Sequence, residues 1–172
     1  MTEEQRNLCS ELTIYPNGSR RISKEDFVRR FPSAVEHGKL ALRLLEEAYR
    51  AQDGEDLECA LTVGFTFGFA SEHAKILCHL VEAEWHVRHE DVVSALEELH
   101  PPDAVNALFH ATQWIPKSLE YDDSRALAVK AIWALGRIPG PEAEAKLGEL
   151  ANNPDPNLAK LAAEQMERRR EV

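Results

Sequence analysis

The stretch HVRHED places His86, His89, Glu90 and Asp91 within six residues, and six of the seven histidines lie between His73 and His110. Imidazoles beside carboxylates are the side chains that bind metals and move protons. A metal reading takes His86, His89 or Glu90 together with a ligand from another helix. The spacing is HxxH, however, and not the HExxH in which two ligands and a base share one helical face. If the stretch straddles a helix start, three-residue spacing need not put both rings on one side. The plainer reading makes the histidines interface polars and puts Glu90 and Asp91 in a first turn, where negative charge meets the positive end of the helix dipole.

A second acidic start, YDDS (Tyr121–Ser124), has the same two sides. Asp122, Asp123 or Ser124 supplies an oxygen that caps the free N–H groups of the following helix. HED and YDD also recur about one repeat apart, so Glu90, Asp91, Tyr121, Asp122 and Asp123 would present acids along one edge of a stack. Such an edge suits the arginines and lysines of a basic protein partner. Trp85 and Trp114 each close a first helix at comparable repeat positions. They either cover the core or, half-exposed, serve as partner anchors, because tryptophan is enriched among residues that dominate binding. These seven residues form the candidate partner-binding set. Trp133, among alanines in mid-helix, reads as core.

Catalytic signatures are missing. No nucleophile elbow, phosphate-binding loop, dinucleotide fingerprint or paired CxxC occurs. Cys9, Cys59 and Cys78 are odd in number and read as reduced, mostly buried thiols. The sequence therefore leads us to expect no catalytic residue, metal or cofactor.

The net charge is −10, and its placement says more than its size. Residues 53–125 carry fifteen acidic and four basic residues, a net −11, while residues 1–52 sum to +1 and residues 126–172 to zero. A negative middle repels phosphate backbones, so no nucleic acid is expected, and it speeds encounter with a basic partner. It also serves solubility alone. The C-terminal ERRRE is too short to argue for nucleic acid and reads as a solvated helix end. No run of eighteen apolar residues is present, so no membrane span is expected, and the acidic start MTEEQRN lacks the apolar core of a signal peptide. A cytoplasmic location follows as the expectation.

The elements that would hold these residues are almost all helices. Apolar residues at helical spacing predict helices over Glu3–Leu12, Lys24–Phe31 with Ser23 as cap, and Val35–Gln52. Asp56–Ala70 contains Thr62, Val63, Phe65 and Phe67, which suit a strand, but no partner strand is evident. It reads as a buried helix in which Gly64 and Gly68 let neighbours approach. Beyond it, Ser71 is the expected cap of a helix running to Trp85. Further helices follow over His89–Leu99, Pro101–Trp114, Tyr121–Ile138, Gly140–Ala151 and Pro156–Arg170.

These last helices pair as Ser71–Leu99, Pro101–Ile138 and Gly140–Arg170. Leu108 then aligns with Leu147, and Val92, Leu127 and Leu158 fall in register. A drifting two-helix period of roughly 30–45 residues marks a helical solenoid, in which one hairpin buries its apolar face only by stacking on the next. The stretch resembles HEAT repeats through Leu127-Ala128, Lys130-Ala131, Ala134-Leu135-Gly136, Glu142-Ala143, Leu150-Ala151 and Leu158-Ala159. The likeness is fullest over Asp122–Met166 and thinner over Ser71–Pro102. The expected architecture is all-α: an N-terminal helical cap over residues 1–34 and an array of HEAT-like hairpins over residues 35–172, a short α-solenoid.

The chain also resembles small bacterial HEAT-like proteins that neutralise polymorphic or contact-delivered toxins. That likeness rests on LCHLVEAEWHVRHEDVVSALEEL and LEYDDSRALAVKAIWALGRI. It implies a non-enzymatic immunity protein whose acidic middle covers a cognate toxin, for instance the basic cleft of a nuclease. The same fold class also contains generic scaffolds, DNA glycosylases and bilin lyases. A glycosylase needs a basic face, which the charge count opposes. A lyase needs a pigment pocket, for which Gly64–Phe69 and Trp85 are the available aromatics.

Overall fold

The computed structural model describes residues 1–14, 18–31 and 39–170. It is all-α, with ten α-helices and no strand among the described residues. Contacts divide the chain into two compact units, Met1–Ile76 and Leu77–Val172, with the division falling inside helix α5. The expected cap, residues 1–34, belongs to the first of these together with the two helices that follow it.

In the first unit α1 (Glu3–Ser10), α2 (Lys24–Arg30), α3 (Lys39–Ala51) and α4 (Gly54–Phe67) surround the apolar faces of α3 and α4. Each start is chemically marked. Thr2 and Gln5 form a capping box on α1, Ser23 accepts from the Asp26 N–H on α2, and Asp53 accepts from the N–H groups of Glu55 and Asp56 on α4. Arg6 of α1 reaches that same α4 start, with its guanidinium 2.6 Å from Asp56, 2.8 Å from Asp53 and 3.0 Å from Glu55. Burial alone would raise the Asp56 carboxyl, yet Arg6 and the Met1 ammonium hold it below the usual carboxylate range. The start of α3 expected at Val35 lies outside the described residues.

The ambiguous stretch is a helix, as expected, because the Asp53 cap starts it and the interior surrounds it. Leu57, Ala60, Leu61 and Val63 are all within 3% of full burial. Gly64 is there for space: a Cβ would stand 2.1 Å from the Phe69 ring. Gly68 is there for conformation, not for close approach. Nothing lies near its absent side chain, and its φ of +96° turns the chain out of α4.

The helix expected from Ser71 to Trp85 is shorter. A 3-10 turn over Ser71–His73 leads into α5 (Ala74–Val81), and residues 82–88 form a loop. Ser71 is not its cap, since its hydroxyl turns to Glu72 at 3.2 Å. The Ala70 N–H donates instead to His73 Nδ1 at 3.0 Å.

The second unit continues with α6 (His89–Leu99), α7 (Val105–Gln113), α8 (Ala126–Arg137), α9 (Pro141–Leu150) and α10 (Pro156–Arg170). α7 packs on α8 and α9 on α10, two of the three expected hairpins, whereas α5 and α6 share no comparable packing. The second helices also pack in succession, α6 on α8 and α8 on α10, and α7 meets α9. The aligned residues Leu108, Leu147, Val92, Leu127 and Leu158 are all buried. Each buried leucine contributes about 1.5–3 kcal/mol by leaving water. α8 meets four helices, which explains its composition: Ala128, Ala131 and Ala134 bring backbones close while Leu127, Ile132 and Leu135 fill the gaps. Trp133 departs from the expected core. It is half-buried, with the Arg168 guanidinium 4.4 Å above its ring.

Among the described residues no helix is long and apolar enough to cross a membrane.

Candidate functional site

Two loops of the second unit carry its most distinctive side chains. The loop between α5 and α6 folds back on α5 through its histidines. His86 Nε2 lies 2.8 Å from the Leu80 carbonyl, and His89 Nε2 lies 2.8 Å from the Ala83 carbonyl. A carbonyl only accepts, so both rings carry their proton on Nε2. Nδ1 of His86 then accepts the Arg88 N–H at 3.0 Å. Nδ1 of His89 has no partner, although that residue is only 1% exposed.

The two imidazoles stack with ring centres 4.2 Å apart, between two tryptophans. Trp85 meets His86 edge-on at 4.9 Å, and Trp114 meets His89 edge-on at 5.0 Å. His110 stacks on Trp114 from the other side at 5.8 Å. Burial, then the neighbouring His89, pushes His86 down to about 4 against its bond to Leu80. Burial likewise lowers His89 against its bond to Ala83. Both rings are thus neutral at pH 7.

The second loop, between α7 and α8, supplies the far wall. Trp114 ends α7 in an extended conformation and hands over to Ile115 and Pro116. Between the loops opens a cleft of about 500 Å³ whose lining includes Trp85, His89, Trp114 and Ile115, with Glu84 and Glu120. Val87 and Ile115 expose 66% and 45% of their apolar surface there, more than a folded chain needs to leave in water. The cleft is concave and aromatic, and its charged lining is Glu84 and Glu120 against Lys117. That arrangement suits recognition of a cationic, donor-bearing group.

Comparison with protein-family models, with curated proteins and with solved structures finds no match.

The structure brings Trp85 and Trp114 to one cleft and leaves the acids apart from it. Glu90 is paired with Lys130 Nζ at 3.3 Å, and Asp91 lies 3.9 Å from the Arg88 guanidinium. Asp122 is the cap of α8: its carboxylate accepts the Ala126 N–H at 2.7 Å and the Ser124 N–H at 3.1 Å. The Ser124 hydroxyl, then the Ala126 N–H, hold Asp122 below the usual carboxylate range. Asp123 is exposed with no ion pair among the described residues, and Tyr121 is 95% exposed. The continuous acidic ridge expected from HED and YDD is thus partly neutralised within the chain. The acids that face the cleft are Glu84 and Glu120, which pattern reasoning missed. Their signal was position alone, one immediately before Trp85 and the other in the loop after Trp114.

HxxH takes on a structural meaning as well. Both Nε2 atoms are committed to carbonyls and His86 Nδ1 to Arg88, which leaves one free nitrogen. Among the described residues no group of three His, Cys, Asp or Glu side chains is placed to hold a metal ion.

Proposed function

We propose that the chain is a non-enzymatic protein-binding module that grips a basic partner with the two loops of its second unit, seating a lysine or arginine side chain in the cleft that Trp85 and Trp114 line. The observation that carries this reading is the cleft itself. Its aromatic rings attract a cation, and Glu84 and Glu120 outnumber Lys117 in its lining and can pair with one. The net −11 of residues 53–125 supports the same reading by favouring encounter with positive surfaces.

The sharper form is that the partner is a cognate bacterial toxin with a basic substrate cleft, as a nuclease has, which the module occludes. Its support is the HEAT-like sequence texture together with the acidic, aromatic loop edge. A different basic protein held by a HEAT-like scaffold would use the same cleft.

The test is co-purification from the native host and with the product of the adjacent gene, using the wild type, Trp85→Ala and Trp114→Ala. A captured basic protein that both variants lose supports the module, and toxicity of that protein without its partner supports immunity. Capture undiminished in both variants removes the cleft from the function. A neighbour without toxic activity and without binding removes the immunity reading.

A further inference from the structure

A second cleft of about 740 Å³ lies in the same unit, where the C-terminal ends of α6, α8 and α10 come together. In a chain of net charge −10, this corner is arginine-rich: Arg137, Arg168, Arg169 and Arg170 all line it. Their charges are not equally free. Arg137 lies 3.2 Å from Glu97. Arg169 turns inward, its guanidinium bonded to the carbonyls of Gly136 at 3.2 Å and Gly140 at 2.9 Å, and to that of Ile138. It thereby covers the carbonyl end of α8, which would otherwise repel an anion.

Arg168 and Arg170 remain, exposed and with no ion pair among the described residues. Glu144 is the one carboxylate that lines the cleft with them. Arg168 has its guanidinium carbon 4.4 Å from the centre of the Trp133 ring, a contact that places the charge at the edge of the cleft.

The floor supplies the independent observation. Gln165 is only 4% exposed, yet its Nε2 donor has no hydrogen-bond partner. Its side chain packs against Gly136, whose missing Cβ leaves the room: one built there would stand 2.6 Å from Gln165 Oε1. His100, at the end of α6, leaves Nε2 without a partner at the same cleft. Buried donors without acceptors are rare in folded proteins, and an incoming oxygen relieves them.

We propose that this cleft binds a compact oxyanion, a phosphoryl or carboxylate group of a small molecule, with Arg168 and Arg170 as the charged arms and the Gln165 amide as the floor, His100 lying beside it. The proposal is independent of the partner reading, since it uses none of the residues of the aromatic cleft.

Isothermal titration of the full chain with inorganic phosphate and, separately, with citrate tests it. Saturable binding of at least one anion is expected, weakened about tenfold or more in Arg168→Gln/Arg170→Gln and in Gln165→Leu. Binding of phosphate alone assigns a phosphate ester, of citrate alone a polycarboxylate, and of both a general oxyanion site. Arg43→Gln, a charge change in the first unit, should leave affinity unaltered. No saturation by either anion overturns the proposal, as does equal weakening by Arg43→Gln. The arginine pair is solvent-exposed, so that variant remains informative even if Gln165→Leu fails to fold.

Discussion

Helix α6 separates two clefts of opposite chemistry. At its first residue, His89, neutral imidazoles stack between tryptophans with Glu84 and Glu120 nearby. Just past its last, His100 opens onto a corner lined by four arginines. Eleven residues of helix put roughly 16 Å between them. Summed charge hides this: residues 126–172 balance to zero, yet three of their seven basic residues sit in a row at the end of α10. The comparison teaches that a charge count along the chain finds a negative region, whereas a positive one made by three helix ends must be seen in space.

The strongest perturbation of both clefts at once is Leu96→Ala. Leu96 is fully buried in α6, and its loss should cost about 2–5 kcal/mol in chemical denaturation. If only one cleft then loses binding, α6 is not their common support.

Acid should distinguish them. His86 is held at about 4 when folded, against an ordinary 6.5, so between those values the unfolded chain takes up more protons than the folded one. Stability is then fully present above pH 6.5 and falls as pH drops toward 4, by on the order of 2–3 kcal/mol. Asp56, held below the ordinary 3.8, contributes its own loss only below that window. Melting temperatures of His86→Gln across pH 4–7 should show a flattened slope. A slope equal to wild type would mean that the imidazole stack is not the acid-sensitive element.

Trp133→Ala sharpens the basic side. A fully buried tryptophan would cost ~3–5 kcal/mol; a half-buried one under Arg168 should cost about 2, read as a lowered denaturation midpoint. Loss at the full value would return Trp133 to the core. Gly136→Ala is the smallest step, about 1 kcal/mol, because its Cβ must displace the far end of Gln165. Its sharper readout is oxyanion affinity, which should fall with it.

Much of the helical framework was legible because it depends on local rules. Ser23 and the Pro141 and Pro156 starts are marked in the sequence, and the register of Val92, Leu127 and Leu158 follows from periodicity. The helix over Gly54–Phe67 could be argued against its strand-like residues because a lone strand leaves its backbone unpaired. Trp85 and Trp114 were singled out by position alone, and they do share a cleft.

What was illegible depends on non-local partners. Glu90 looked free until α8 brought Lys130 to it, and nothing near Trp133 in the sequence announces Arg168. The loss of the last turn before Trp85 accompanies shorter-range bonds, His86 to the Leu80 carbonyl and His89 to the Ala83 carbonyl, which the helical preference of Glu82-Ala83-Glu84 does not announce.

Arg169 binds carbonyls that lie 29 to 34 residues before it. During synthesis the Gly136, Ile138 and Gly140 carbonyls at the turn leaving α8 therefore emerge before the guanidinium that binds them, and water serves them until the ribosome has delivered α9 and nearly all of α10. A chain cut short before Arg169 would leave them to water for good.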